Sequence, residues 1–304
     1  MLNVEIRMRA RNALRNNWQI ALLVGFIAML PGIVSQVVTV LTGGSLATRL
    51  MERLTSVEQL MEPDFFTNFF NDLLSSGGFI ASCAGSVVAW LVAPVLSLGL
   101  TAYLLGLVRG TPGQISSVFS RVGVWYKAIG LNLLVAIKAV LWAVPGLALM
   151  YGGAYLIGSL ATNRNTALSL LSMLLYAGYA AALIPMIMAL LRYAMSRYVL
   201  ADAPETTVRG CIARSKALMQ GRKGQLFMLG LSFFGWILLL ELVTSLMYSM
   251  LGYVLGATVG MFLNLALQVY MSAAWCVFYL HLCGETPVVV LPKEEPDNDP
   301  WHNS

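Results

Sequence analysis

The sequence predicts an all-α, polytopic membrane protein with about six transmembrane helices. Three observations carry this reading. The first is composition. Of 304 residues, 58% are hydrophobic and 11% charged, and mean hydropathy is +0.75. A soluble globular chain carries about 25% charged and 45–50% apolar residues. The second is distribution, because six stretches reach the ~20 apolar residues a spanning helix needs. The third is charge, because Lys and Arg collect in alternate connections. The same figures exclude a disordered chain, a nucleic-acid-binding domain and a disulfide-stapled secreted module.

The chain opens on a basic helix. Arg7, Arg11 and Arg15 form a stripe opposite Ile6, Ala10, Ala13 and Leu14. The first span covers about 18–41. It is too long for a signal-peptide core and reads as an uncleaved anchor. The outer segment 45–77 sets Arg49 and Arg53 against Glu52, Glu58, Glu62, Asp64 and Asp72. Its Phe65, Phe66, Phe69 and Phe70 suit an amphipathic helix lying on the membrane surface. The second span is 79–108. Ile115, Val118, Phe119, Val122 and Tyr126 then recur at helical spacing, which predicts an amphipathic α-helix before the third span.

The third and fourth spans are 128–160 and 167–191. A second amphipathic helix carries Val208, Cys211, Ile212, Ser215, Leu218 and Met219 on one face. Asp202-Ala-Pro-Glu205 suits a capping box for it, and Gly221 suits its stop. The last spans are 225–251 and 254–282. Residues 1–284 read as a single membrane domain, and 285–304 as a flexible acidic tail. Pro31, Pro94, Pro145 and Pro185 fall inside spans and predict kinks. The basic helix, span, outer connection and span recur three times, over about 1–108, 112–191 and 203–282.

Orientation follows from the 19 Lys and Arg. Fifteen lie at the N-terminus, in the second and fourth connections and in the tail. Three, Arg49, Arg53 and Arg164, lie on the other side, and Lys138 lies within a span. The positive-inside rule then places both termini in the cytoplasm, consistent with an even number of spans. Cys83, Cys211, Cys276 and Cys283 lie in or beside apolar stretches or in a basic loop, and read as reduced thiols.

Ionisable and amide groups inside spans are the candidates for chemistry. Lys138 lies near mid-bilayer and Glu241 toward the outer half, so the two could pair. Asn264 and Gln268 share a helix face at i, i+4. These four are candidates for a ligand site or polar pathway. The alternative is structural, with the same groups fastening helices together. Catalytic signatures such as HExxH and GxSxG are missing, so no enzyme, metal or cofactor is expected. Seven Lys and Arg between the fourth and fifth spans suit anionic lipid headgroups.

The segment Arg192-Tyr193-Ala-Met-Ser-Arg-Tyr198-Val-Leu-Ala-Asp202-Ala-Pro204 resembles the signature of the bacterial integral membrane "domain of unknown function 975" family. Ser215-Lys-Ala-Leu-Met-Gln-Gly221-Arg-Lys223 and Leu231-Ser-Phe-Phe-Gly235-Trp236 fit the same pattern. Ala10–Trp18 resembles the family's N-terminal helix, and Leu141-Trp142 with Pro145-Gly146 its mid-chain segment. Gly224 departs from the pattern, standing where a Trp is expected. Leu147 to about Leu183 reads as an insertion. The resemblance implies a multi-pass protein of the bacterial cytoplasmic membrane and supplies no activity. The expected function is a non-enzymatic module of envelope homeostasis, bound to lipid or to a membrane protein partner. The alternative is a small-solute transporter or channel.

Overall fold

The computed structural model describes residues 3–42, 71, 74–111, 113–160 and 164–285. Most of the outer segment 45–77, and the tail beyond Glu285, lie outside the described residues. The elements are α1 (Asn3–Leu14), α2 (Trp18–Thr42), α3 (Gly77–Val108), a 3₁₀ helix (Ile115–Val124), α4 (Trp125–Leu160), α5 (Arg164–Tyr193), α6 (Ser196–Asp202), α7 (Val208–Leu218) and α8 (Lys223–Leu282). The described residues contain no strand. Among the described residues, six stretches are long and apolar enough to cross a membrane: Trp18–Thr42, Gly77–Val108, Ile115–Gly146, Ala180–Asp202, Lys223–Gly252 and Leu255–Leu282. The shortest of them that is one unbroken α-helix, Trp18–Thr42, has 25 residues. At 1.5 Å per residue it reaches about 37 Å, more than a hydrocarbon core of ~30 Å. All four predicted kink prolines sit inside helices that continue past them.

The chain forms two compact units. One comprises Leu23–Ala102 and Ile115–Phe227, and the other Met1–Leu22, Tyr103–Gln114 and Met228–Ser304. In the first unit, two helical hairpins close on small residues. Between α2 and α3, the Thr42 and Ser82 hydroxyls are 3.3 Å apart, and those of Ser35 and Ser86 3.4 Å. Gly78 lies against the Thr42 carbonyl. Between α4 and α5, Gly146 abuts the backbone of Ala182, leaving no room for a Cβ. Hydrocarbon supplies no hydrophobic drive between helices, so close backbone approach at small residues carries their association. Residues 147–160 of α4 and 164–181 of α5 lie beyond this crossing.

The predicted helix at Ile115–Tyr126 differs from expectation. Residues 115–124 are 3₁₀, with three residues per turn rather than 3.6. Ile115 and Val118 therefore share a face, and Phe119 and Val122 share another. Val118 is fully buried, its carbonyl pressed against Gly99 of α3. Phe119 and Val122 are exposed, as are Trp125 and Tyr126 at the start of α4.

In the second unit, α8 reverses at Gly252, whose φ of 76° and ψ of 169° suit glycine. The two arms pair antiparallel along a glycine stripe. A Cβ on Gly256 would lie 2.8 Å from the Tyr248 backbone, and one on Gly260 2.5 Å from Thr244 Cγ2. Further along, Phe233 and Tyr270 meet edge to face at 5.5 Å. The Tyr270 hydroxyl donates to the Arg7 carbonyl at 3.2 Å, tying α1 to this arm. Ile6, Ala10 and Leu14 of α1 are buried, while Arg11 and Arg15 are exposed. Arg109 makes a bidentate pair with Glu285, at 2.9 and 3.0 Å.

Candidate functional site

Arg192, Tyr193, Tyr198, Asp202, Pro204 and Ser215 of the predicted signature lie in the first unit around the end of α5, whereas Gly235 and Trp236 lie in the second. Helix α5 stops at Tyr193, and the chain restarts as α6 after a two-residue break. Ser196 Oγ caps that break, donating to the Tyr193 carbonyl at 2.6 Å. α6 is short but deeply placed, with Ser196, Tyr198, Val199, Leu200 and Ala201 all buried. It ends at Asp202 because Pro204 restricts the residue before it. Ala203 sits at φ −123°, ψ 81°, outside the helical region.

The capping expectation needs correction. α7 starts at Val208, and its N-cap is Thr207 rather than Asp202. The Thr207 side chain accepts from the Gly210 amide at 3.2 Å. Asp202 is already the last residue of α6, so Pro204 separates it from the next helix. The stop at Gly221 agrees with expectation: its φ is +73°, in the turn that leads into α8.

The stripe predicted on α7 is buried, and what buries it is protein. Cys211, Ile212, Ser215 and Met219 are buried, and α7 packs on α4, α5 and α6. Ser215 Oγ donates to the Arg192 carbonyl at 3.1 Å, fixing α7 to the end of α5. Arg209 and Lys216 on one flank of this packed face and Arg214 on the other are exposed, and Arg222 follows, also exposed.

A residue counted only as an orienting charge proves to be an organiser. Lys127 Nζ donates to the Pro204 carbonyl at 2.7 Å and to the Glu205 carbonyl at 3.1 Å. It thereby ties the start of α4 to the turn between α6 and α7. No sequence motif marks this role, since the acceptors are backbone carbonyls 77 and 78 positions away. Burial pushes the Cys211 thiol above its ordinary value of 9.0, while Lys127 and Arg214 oppose that shift.

The four candidates within the spans fall in both units. Lys138 in the first lies over the Tyr193 ring, 5.9 Å from its centroid. This joins a pathway candidate to a signature residue through a cation–π contact. Glu241, in the second unit, is exposed. Asn264 there donates from Nδ2 to the Gly260 carbonyl of its own helix at 3.0 Å. Gln268 is exposed. The pairing of Thr244 with Gly260 puts Glu241 and Asn264 at neighbouring levels of the α8 hairpin. The glycine stripe Gly252, Gly256, Gly260 was readable as a small-xxx-small repeat and marks that crossing. Of the remaining signature residues, Gly235 and Trp236 are exposed, and Lys223 begins α8.

Comparison with known proteins bears on the family and not on single residues. No curated protein and no solved structure matches the chain. One family model, described as "Protein of unknown function (DUF975)", matches residues 1–285. That match spans every element from α1 to α8, and the chain belongs to the DUF975 family.

Proposed function

We propose that this protein is a non-enzymatic, multi-pass module of a bacterial cytoplasmic membrane that holds anionic lipid headgroups on its basic side. Both termini lie on the cytoplasmic side in this reading, in keeping with the distribution of Lys and Arg. The observation that carries it is the orientation of α7. Its apolar face is used up against α4, α5 and α6, so Arg209, Arg214 and Lys216 point away from the protein. The same unit exposes Phe119, Trp125 and Tyr126. Aromatic rings of this kind settle at the headgroup level of a bilayer. Basic residues near that level attract anionic lipid by about 1 kcal/mol each.

The transport alternative has thinner support. Asn264 spends a donor inside its own helix, and Lys138 stacks on a tyrosine.

The experiment is lipid retention by native mass spectrometry, after extraction from bilayers containing phosphatidylglycerol and phosphatidylcholine. The wild type should retain phosphatidylglycerol preferentially. The variant with Arg209, Arg214, Lys216 and Arg222 all changed to Gln should lose that preference while keeping its fold. Equal retention of the two lipids by the wild type would sink the proposal.

A further inference from the structure

Glu241 is an ionisable residue deep inside the apolar helix Lys223–Gly252. It lies about 27 Å along the helix from Lys223 and about 16 Å from Gly252, at 1.5 Å per residue. Its carboxyl makes no hydrogen bond or ion pair among the described residues. The side chain is exposed, and its surroundings on that face are apolar: Phe234, Leu238 and Leu242 are 52%, 54% and 59% exposed. Lipid chains offer a carboxyl no hydrogen bond, so a group in this position calls for a protein partner.

Two hydroxyls extend the same face. Ser245 and Ser249 follow Glu241 at i+4 and i+8, and both are exposed; Ser249 Oγ donates to the Leu246 carbonyl of its own helix at 2.8 Å. Glu241 and these serines form a narrow polar stripe bordered by leucines. Serine side chains are small enough to let a second helix backbone come close.

We infer that this stripe is the contact surface for a second copy of the chain. The argument is self-complementarity. With a two-fold axis along the membrane normal, the same face of both copies meets at the same depth. The Ser245 hydroxyl of each copy then donates to the Glu241 carboxyl of the other, one helical turn away. One symmetric step satisfies both carboxyls. The stripe carries one acceptor group and, one turn on, the Ser245 donor, so it needs no basic residue from a foreign helix.

The test uses the full chain in bilayers, with Cys83 and Cys283 changed to Ser. Ser249→Cys, two turns from Glu241 on the same stripe, should cross-link with a short bis-maleimide to a product of twice the chain mass. Phe262→Cys, exposed in the same unit, should not. Glu241→Leu should raise the dimer dissociation constant about tenfold or more, from the loss of two interhelical hydrogen bonds. Glu241→Gln keeps an acceptor and should stay near wild type. The inference is overturned if Ser249→Cys gives no dimer product or joins only another protein. It is equally overturned if Glu241→Leu, still folded, leaves the dimer fraction unchanged.

Discussion

Lys127→Met is the most informative single change in the first unit. The methionine keeps an apolar stem of similar length and removes both donors to the α6–α7 turn. A hydrogen bond from a charged group contributes about 1.5–3 kcal/mol. The bond to Pro204 is partly buried and the one to Glu205 is exposed, so the second is heavily discounted. The expected loss is about 2 kcal/mol. Free energy of this size is about a 30-fold change in a local opening equilibrium. Cys211 reports that opening, because it is fully buried under α7. Its labelling by a maleimide at fixed pH should therefore run about 30-fold faster in the variant. The unfolding midpoint in a mixed-micelle titration should fall in parallel. Labelling within about twofold of wild type, with an unchanged midpoint, would refute the view that Lys127 holds the turn.

Other consequences follow from the same geometry. Ser215→Ala removes the bond to the Arg192 carbonyl and should cost about 1 kcal/mol in the same titration. Gly146→Val forces a side chain into the Ala182 backbone and should cost at least ~2 kcal/mol, with loss of α4–α5 pairing measured by double electron resonance. Gly252→Ala puts a Cβ at a φ of 76° and should cost about 1–2 kcal/mol, with the same hairpin retained. The Cys211 thiol is raised above 9.0 in the fold, so the folded state favours its protonated form. Its contribution is complete below its unfolded value and is lost as pH rises through the folded one. Wild type should therefore lose more stability between about pH 8 and 10 than Cys211→Ala, and identical losses would refute the assignment.

The spans were legible because hydrocarbon imposes one demand, a long apolar helix, and composition reports it directly. The reversal at Gly252 was legible too, since the fifth and sixth apolar stretches meet there. The family was readable from short stretches of sequence, and those around Arg192–Pro204 and Ser215 lie where α5 meets α6 and α7. Other features were not legible. The helical spacing of Ile115, Val118, Phe119 and Val122 does not distinguish α from 3₁₀ over ten residues, and packing of Val118 on Gly99 decides the matter. The cap at Thr207 was hidden behind a better-looking acidic pair, whose first member already ends another helix. Lys127 was invisible because backbone carbonyls leave no mark in sequence. The burial of α7 against protein was equally hidden. An apolar stripe on a basic helix fits a membrane surface as well as a neighbouring helix, and only the packing separates the two.

The account rests most heavily on the basic face of α7 lying at the cytoplasmic leaflet. Arg209→Cys, in a chain with Cys83 and Cys283 changed to Ser, tests this directly with a membrane-impermeant maleimide. The account predicts no labelling in intact cells and full labelling once the membrane is opened. Labelling from outside intact cells would place the face on the opposite leaflet and contradict the orientation on which headgroup binding depends.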